Sequence, residues 1–543
     1  MIKLLLQYYT FSSNILKTVL GHMVLILTCI TFLSCTSSSD KTGYSKPNIV
    51  IILADDMGYG DVSSLNLEGR TQTPAIDKLV NEGINFTNAH ASASVCTPSR
   101  YGLLTGRYAF RTSAAAKGIW GFDKTVIDRG RTTIASMLQN AGYTTAIVGK
   151  WHLGLDWQTN DGSDQAYLNE ESGYSNVDYT QAVNTGPNDF GFDYSFIHPA
   201  SLDIPPYMFL RNHRVIDDDI ILTTDHYQMG KDNTVFSWDK KHTNNSAVYW
   251  EKGVWWRQGE MSRSFRLENA HSTILEEGLD YIENQANDSH VPFFLYLTLT
   301  GPHTPWMPTD KFKDRSPIGL YGDFILDIDD VVDQVYKTLA DNNLQENTIL
   351  IFASDNGAYW PQEEIELHDH DSNQGRRGQK GDIWDGGHRI PFVVSWPDQI
   401  DKNSEYSHLI SLTDVFSTIA ELTGHSMDDA EAGDSFSFLP VIYGETDRPI
   451  RKSMVHHSSR GMYSIRRDGW KLIDGLGSGG FTEPYFIEPQ EDGISGQLFR
   501  VESDKLESKN LFLQHPDKVT ELQDLLEFFK GTPEKNLRYG LAE

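Results

Sequence analysis

The sequence predicts an α/β fold, a large, mostly parallel, doubly wound sheet followed by a smaller α+β subdomain. Short apolar runs with the length and β-branched content of buried parallel strands recur, and each stops in polar residues. Helical patterns alternate with these runs, which favours a parallel sheet covered on both faces. Beyond about Ser426 the texture changes to short β-like runs separated by turns.

Asn48 to Ala54 is the first run and ends at Asp55-Asp56. Thr73-Pro74 then opens a helix with Ile76, Leu79 and Val80 on one face and Gly83 as its stop. Thr144 to Val148 leads into Gly149-Lys150-Trp151-His152, and Pro292 to Thr300 into Gly301-Pro302-His303. Asp327 to Asp341 places Val331, Val332, Val335 and Leu339 at helical spacing, and Thr348 to Ala353 ends at Ser354-Asp355-Asn356-Gly357. Ligands of open α/β sheets bind outside the carboxyl ends of the strands, so these polar clusters are expected along one edge. The Asp414 to Leu422 helix closes at Gly424, and an acidic, Ser-rich stretch from Ser426 through Asp434 reads as a linker or surface loop. Residues 435–543 are expected to form an antiparallel sheet, with Met462 to Ile465 and Trp470 to Ile473 as strands. A helix after Pro516, with Val519, Leu522, Leu525, Leu526 and Phe529 on one face, completes it.

Inside the expected 46–425 domain, residues at about 156–264 form a polar insertion with little periodicity. It is rich in rings, among them Tyr207, Phe209, Trp238, Trp250, Trp255 and Trp256. Long irregular insertions are commonly functional, which makes this one a candidate for substrate contacts; the other reading is that the rings fill its own core.

A chain of 543 residues exceeds what one hydrophobic core usually covers. Its net charge of -29 argues against nucleic acid and other polyanions as long-range partners, because the summed field repels them, so any anionic substrate has to be held by local cations. Residues 1–35 read as an export signal, in which an apolar stretch from Val19 to Ser34 follows Lys17 and runs into Cys35 and a polar tail. The Phe-Leu-Ser-Cys ending resembles a bacterial lipoprotein cleavage site with Cys35 as the lipidated residue. Phe32 fits that pattern imperfectly, and an uncleaved anchor or a simple secretion signal are the alternatives. The expected location is the periplasm or cell surface, with membrane contact only through an N-terminal lipid. Cys29 and Cys35 belong to this leader, which leaves Cys96 without a disulfide partner. It is either an inert buried side chain or a residue with a special use.

Cys96-Thr97-Pro98-Ser99-Arg100-Tyr101-Gly102-Leu103-Leu104-Thr105-Gly106-Arg107 is the most specific stretch. It resembles the class I sulfatase signature, Cys-x-Pro-Ser-Arg followed at fixed spacing by Leu-Thr-Gly-Arg, without a mismatch. The strand-end blocks at Asp55-Asp56, Gly149 to Gly154, Gly301 to His303 and Ser354 to Gly357 are similar to that family's blocks in the same order. Gly378 to Pro391 matches the last, with Asp385 where glutamate is common. The resemblance implies an alkaline phosphatase-like sheet. The stretches His456-His457-Ser458, Tyr463 to Leu472 and Gly477 to Gly480 are similar to the branch of N-acetylgalactosamine-6-sulfatases and bacterial galactose-6-sulfate sulfatases.

By the same resemblance, a separate maturation enzyme oxidises Cys96 to formylglycine, and the hydrated aldehyde attacks a sulfate ester while held by a metal and Arg100. Asp355 takes its proton, Lys150 and Lys380 bind the sulfate oxygens, His303 protonates the leaving sugar oxygen, and His152 helps the second hydroxyl expel sulfate. The implied metal set is Asp55, Asp56, Cys96, Asp355 and Asn356. Carboxylate and carboxamide oxygens suit calcium, with magnesium next, and no soft thiolates or clustered imidazoles of a zinc site are recognised. The implied substrate is a sulfated oligo- or polysaccharide. A phosphatase, phosphodiesterase or phosphonate hydrolase of the same superfamily is one rival, and a non-catalytic binder of sulfated glycans is another.

Overall fold

The computed structural model describes residues 46–112, 116–169, 172–227, 257–287, 291–427, 431–489, 491 and 493–531. The leader with Cys35, and Trp238, Trp250, Trp255 and Trp256, lie outside the described residues. No described helix is long and apolar enough to cross a membrane.

The run Asn48–Asp55 forms β1, buried over all 8 residues. Its alternate side chains feed separate cores, Ile49, Ile51 and Leu53 on one face and Val50, Ile52 and Ala54 on the other. A strand covered on both faces has to be apolar throughout, which explains the unbroken run. The sheet continues with β2 (Ile84–Phe86), β3 (Thr144–Lys150), β4 (Tyr194–His198), β5 (Leu210–Arg211) and β6 (Arg214–Val215). β7 (Phe293–Pro302), β8 (Thr348–Ser354), β9 (Phe392–Ser395) and β10 (Ser404–Tyr406) complete it. In space the order is β10-β2-β9-β8-β1-β7-β3-β4-β5-β6. The central strands β8, β1, β7, β3 and β4 are parallel, while β9, β5 and β6 add antiparallel pairings toward the edges.

Register brings the chemistry into one row. Ala54 pairs with Ser354, Asp55 with Pro302, and Lys150 with His198, so the polar ends of β8, β1, β7, β3 and β4 open on the same edge. The helix Pro74–Glu82 ends at Gly83, and Asp414–Thr423 ends at Gly424. The helix expected from Asp327 starts earlier and spans Gly319–Asp341. Tyr321, Phe324, Ile325 and Ile328 extend its buried stripe.

A second sheet orders Ser453–His457, Tyr463–Arg467, Trp470–Ile473 and Gln497–Arg500 as an antiparallel ladder. The helix Pro516–Gly531 lays Val519, Leu522, Leu526 and Phe529 against Val455, Ile465 and Leu472, with Leu525 partly buried beside them.

Two expectations change. The stretch read as irregular insertion contributes β4 to the main sheet. Its Tyr207 is fully buried among Leu202, Ile221 and Tyr227, and Phe209 stacks on Phe196 at 4.7 Å, so these two rings fill a local core. Asp434, expected on a surface loop, is buried and receives Arg111 at 2.6 and 2.7 Å. An unpaired carboxylate could not be buried there, so the loop is fixed by an arginine from a distant part of the chain.

Candidate active site

Cys96 is the first residue of the helix Cys96–Thr105, all of it buried, so its side chain stands where the helix dipole favours negative charge. The neighbouring motif residues hold that placement. Thr97 donates to the His152 carbonyl at 3.1 Å, Ser99 to the Ala93 carbonyl at 2.9 Å, and Gly106 closes the helix at φ 65°. Arg107, at the end of the motif, donates to the Tyr101 hydroxyl at 3.1 Å.

The strand ends surround Cys96 with matched charges. Lys150 Nζ lies 2.6 Å from Asp55, Lys380 Nζ 2.7 Å from Asp56, and Arg100 places Nε and Nη2 each 2.9 Å from Asp355. The Cys96 sulfur is 3.5 Å from Asp55 and 3.9 Å from Asp56. Arg100 also donates to the Lys150 carbonyl at 3.1 Å. Asp56 and His152 adopt the left-handed region, φ 67° and 54°, which turns each side chain out of its strand direction. Lys380 arrives from a loop pinned by Lys380 N to the Ala358 carbonyl and Gly381 N to the Ser94 carbonyl, at 2.9 and 2.7 Å. Gly357 permits this approach, since a Cβ there would meet the Gly386 carbonyl oxygen at 1.9 Å.

Burial would raise the Asp55 carboxyl, but Lys150, His303, Arg100 and Lys380 together hold it well below the ordinary range. For Asp355 burial wins, with Asp55 adding repulsion, and its carboxyl is pushed up to about 6. Burial, then Asp355, lifts the Cys96 thiol well above its usual value. Burial, then Lys150, holds the His152 imidazole well below its usual value; its Nε2 donates to the Ile119 carbonyl at 3.0 Å, and Nδ1 has no partner among the described residues. His303 places Nδ1 2.5 Å from the Thr304 carbonyl and Nε2 3.7 Å from Asp56.

These groups border a cavity of about 240 Å³ lined by Asp56, Cys96, His152, His303 and Lys380 among others. Arg100, Lys150, Asp55, Asp355 and Asn356 lie fully buried around it. Trp120, Asp203 and Arg257 also line the cavity and were missed from the sequence. Asp203 follows the end of β4 and would have been found by the strand-end rule had that strand been recognised. It receives Arg257 at 2.6 Å, and Arg257 lies 4.6 Å from the Trp120 ring centre.

The donor set fits a hard divalent cation. Ligand atoms of Asp55, Asp56, Cys96 and His303 all lie within 4.8 Å of one another. Asn356 donates Nδ2 to Asp56 at 2.7 Å while its carbonyl oxygen is buried without a donor among the described residues, an orphaned acceptor that a cation would satisfy. The expectation that no imidazoles cluster is corrected, because His90, His388 and His456 bring ring nitrogens within 4.8 Å of one another. They come from segments far apart in sequence, so no motif spacing revealed them. His388 and His456 stack at 3.8 Å and 9°, and parallel rings cannot aim in-plane lone pairs at one ion.

A family model described as Sulfatase matches residues 47–425. The chain is 32% identical over 500 residues to an N-acetylgalactosamine-6-O-sulfatase of Bacteroides thetaiotaomicron, covering 89% of this chain and 93% of that protein. Human arylsulfatase G is 30% identical over 438 residues, covering 78% of this chain and 73% of its own. A solved 6S sulfatase from a Bacteroides thetaiotaomicron locus for glycosaminoglycan metabolism superposes with a TM-score of 0.75 at 30% identity, covering 90% of this chain and 100% of that one. With the signature cysteine seated among the strand-end charges and the match spanning most of its length, the chain belongs to the sulfatase family and is a sulfuric ester hydrolase.

Proposed function

We propose that the chain removes sulfate from sulfated carbohydrates with a formylglycine nucleophile made from Cys96, in a site that holds calcium. The observation that carries this reading is the seating of Cys96 at a buried helix start, 3.5 Å from Asp55, amid Arg100, Lys150 and Lys380. Asp55, Asp56, Asp355 and Asn356 would hold the cation together with residue 96. When bound, it supplies charge neutralisation and polarises a sulfate oxygen.

The chain's own residues divide the remaining work. Arg100, fixed by Asp355 and the Lys150 carbonyl, orients the hydroxyl of the hydrated aldehyde at position 96. Asp355 takes that hydroxyl's proton as oxygen bonds to sulfur. Lys380 on the cavity wall and Lys150 beside Asp55 neutralise the sulfate oxygens as the bond to the sugar breaks. His303, anchored through Nδ1 on the Thr304 carbonyl, gives a proton from Nε2 to the departing sugar oxygen. His152, neutral and with Nδ1 unpartnered among the described residues, takes the proton of the remaining hydroxyl, so that the carbon–oxygen bond to sulfate breaks and the aldehyde returns.

The likeness to an N-acetylgalactosamine-6-O-sulfatase supports a sulfate on carbon 6 of a galactose-configured sugar. The same reading takes residues 46–425 as the catalytic domain and 435–543 as the smaller one. It places the mature protein in the periplasm or at the cell surface, lipid-anchored at Cys35 and dependent on a maturation enzyme. Active protein is expected to release sulfate from 6-sulfated galactose or N-acetylgalactosamine and to contain calcium by elemental analysis. Stoichiometric zinc together with a preference for phosphate esters would overturn it.

A further inference from the structure

We propose that a second, cation-lined cavity holds a distal sulfate group of the same glycan chain whose scissile ester occupies the catalytic cavity; this rests on the carbohydrate reading above. The cavity encloses about 570 Å³ and is lined by Arg376, Arg389 and Arg466 together with Lys452, Arg467 and Lys505. It shares no lining residue with the catalytic cavity. In a protein whose net charge is -29, such a concentration of cations requires a local reason.

The carboxylates in the same wall are already engaged. Asp385 receives Arg466 and Lys471, each at 2.8 Å, Glu502 receives Arg500 at 2.9 Å, and Asp468 lies 3.6 Å from Arg467. Among the described residues, Arg376, Arg389, Lys452 and Lys505 have no ion-paired carboxylate. Arg376 and Arg389 share the Tyr59 ring, with guanidinium carbons 4.8 and 5.3 Å from its centre. Among the described residues the Arg389 Nε–H is buried without an acceptor, and burial, then Arg376, pushes its guanidinium down to about 9. Like charges gathered this closely lack their counter-ion, and guanidinium forks match the oxygens of a sulfate ester.

The shape of the surface says which anion. A groove of about 1310 Å³ shares Tyr359 and Phe481 with the catalytic cavity and Arg376 with the cationic one. The catalytic cavity, about 240 Å³, suits one sulfated ring, and the groove has room for further residues of a chain. Along it Arg460 lies 4.2 Å over Tyr485 and Arg377 3.7 Å over Trp384. Trp384 is itself buried, so what these pairs offer an acidic glycan is their guanidinium N–H donors.

Lys452→Glu with Lys505→Glu reverses two exposed charges of this cavity and leaves the catalytic one intact. With matured enzyme and a length series of sulfated oligosaccharides, KM for the longest members should rise about tenfold in the double variant, as for other opposed surface charges. Turnover of the sulfated monosaccharide should not change. No change in any KM, or equal changes for short and long substrates, would overturn the proposal. Saturable binding of inorganic sulfate that is lost in the double variant, without any chain-length effect, would make the cavity a free-anion site and overturn the glycan assignment. If the wild type turned over no sulfated sugar of any length, the functional reading beneath the proposal would fall instead.

Discussion

At the strand ends Asp55, Asp56 and Asp355 face Lys150, Lys380 and Arg100, and at the seam with the C-terminal sheet Asp385 and Glu507 face Arg466 and Lys471. Both clusters are buried, and their shortest contacts are alike, 2.6 to 2.9 Å in the first and 2.8 Å in the second. What separates them is what the charges enclose. The strand-end cluster surrounds a helix-start side chain. In the seam cluster Lys471 bonds Asp385 and Glu507 at once and ties together three distant segments. Buried ion pairs therefore do not mark an active site by themselves. Strand-end position and a seated nucleophile do.

The largest separation is expected from Lys471→Met, which leaves Asp385 and Glu507 partly uncompensated. Denaturant unfolding should show a loss of about 3–5 kcal/mol, the range for breaking a buried charge network. The kcat of the folded fraction should stay within a few-fold, and a large kcat loss at intact stability would place chemistry at the seam. Lys380→Ala should do the reverse, lowering kcat/KM by about 10²–10³, as for one transition-state charge contact. Steady-state kinetics beside a thermal melt would check it, and an unchanged kcat/KM would remove Lys380 from the sulfate pocket.

Asp329 sharpens the comparison because it is buried with only the Ala75 and Ile76 amides as donors and no cation opposite among the described residues. Burial pushes its carboxyl up to about 6. A raised folded-state value stabilises the fold below the unfolded value near 4 and loses that contribution as pH rises through about 6. Relative to Asp329→Asn, the wild type should lose about 2–3 kcal/mol between pH 4 and pH 7. Urea unfolding at both pH values would check this, and equal differences at the two would contradict it. The smallest effect concerns the leaving group. His303→Ala should reduce turnover of sugar sulfates about tenfold more than that of an activated aryl sulfate, whose anion departs unaided. Equal losses in parallel assays would remove His303 as the acid.

The parts legible in the sequence were those that physics writes locally. β1, β3, β7 and β8 are buried on both faces and so appear as unbroken apolar runs ending in chemistry. Cys96 stood out because its neighbours form a contiguous motif. β4 was missed because Tyr194-Ser-Phe-Ile-His mixes polar and aromatic residues, and with it went Asp203. The burial of Asp434 depends on Arg111, 323 positions away, and the histidine cluster on His90 meeting His388, 298 positions on, so neither leaves a local trace. The cationic cavity likewise exists only once residues near 89, 376, 452 and 505 are folded together.

The most direct test of the account is peptide mass spectrometry of active protein produced with the maturation machinery. The peptide containing position 96 should be lighter than encoded and should react with an aldehyde-specific hydrazide. A Cys96 that is fully alkylatable as a free thiol in protein that still hydrolyses sulfate esters would contradict the formylglycine mechanism.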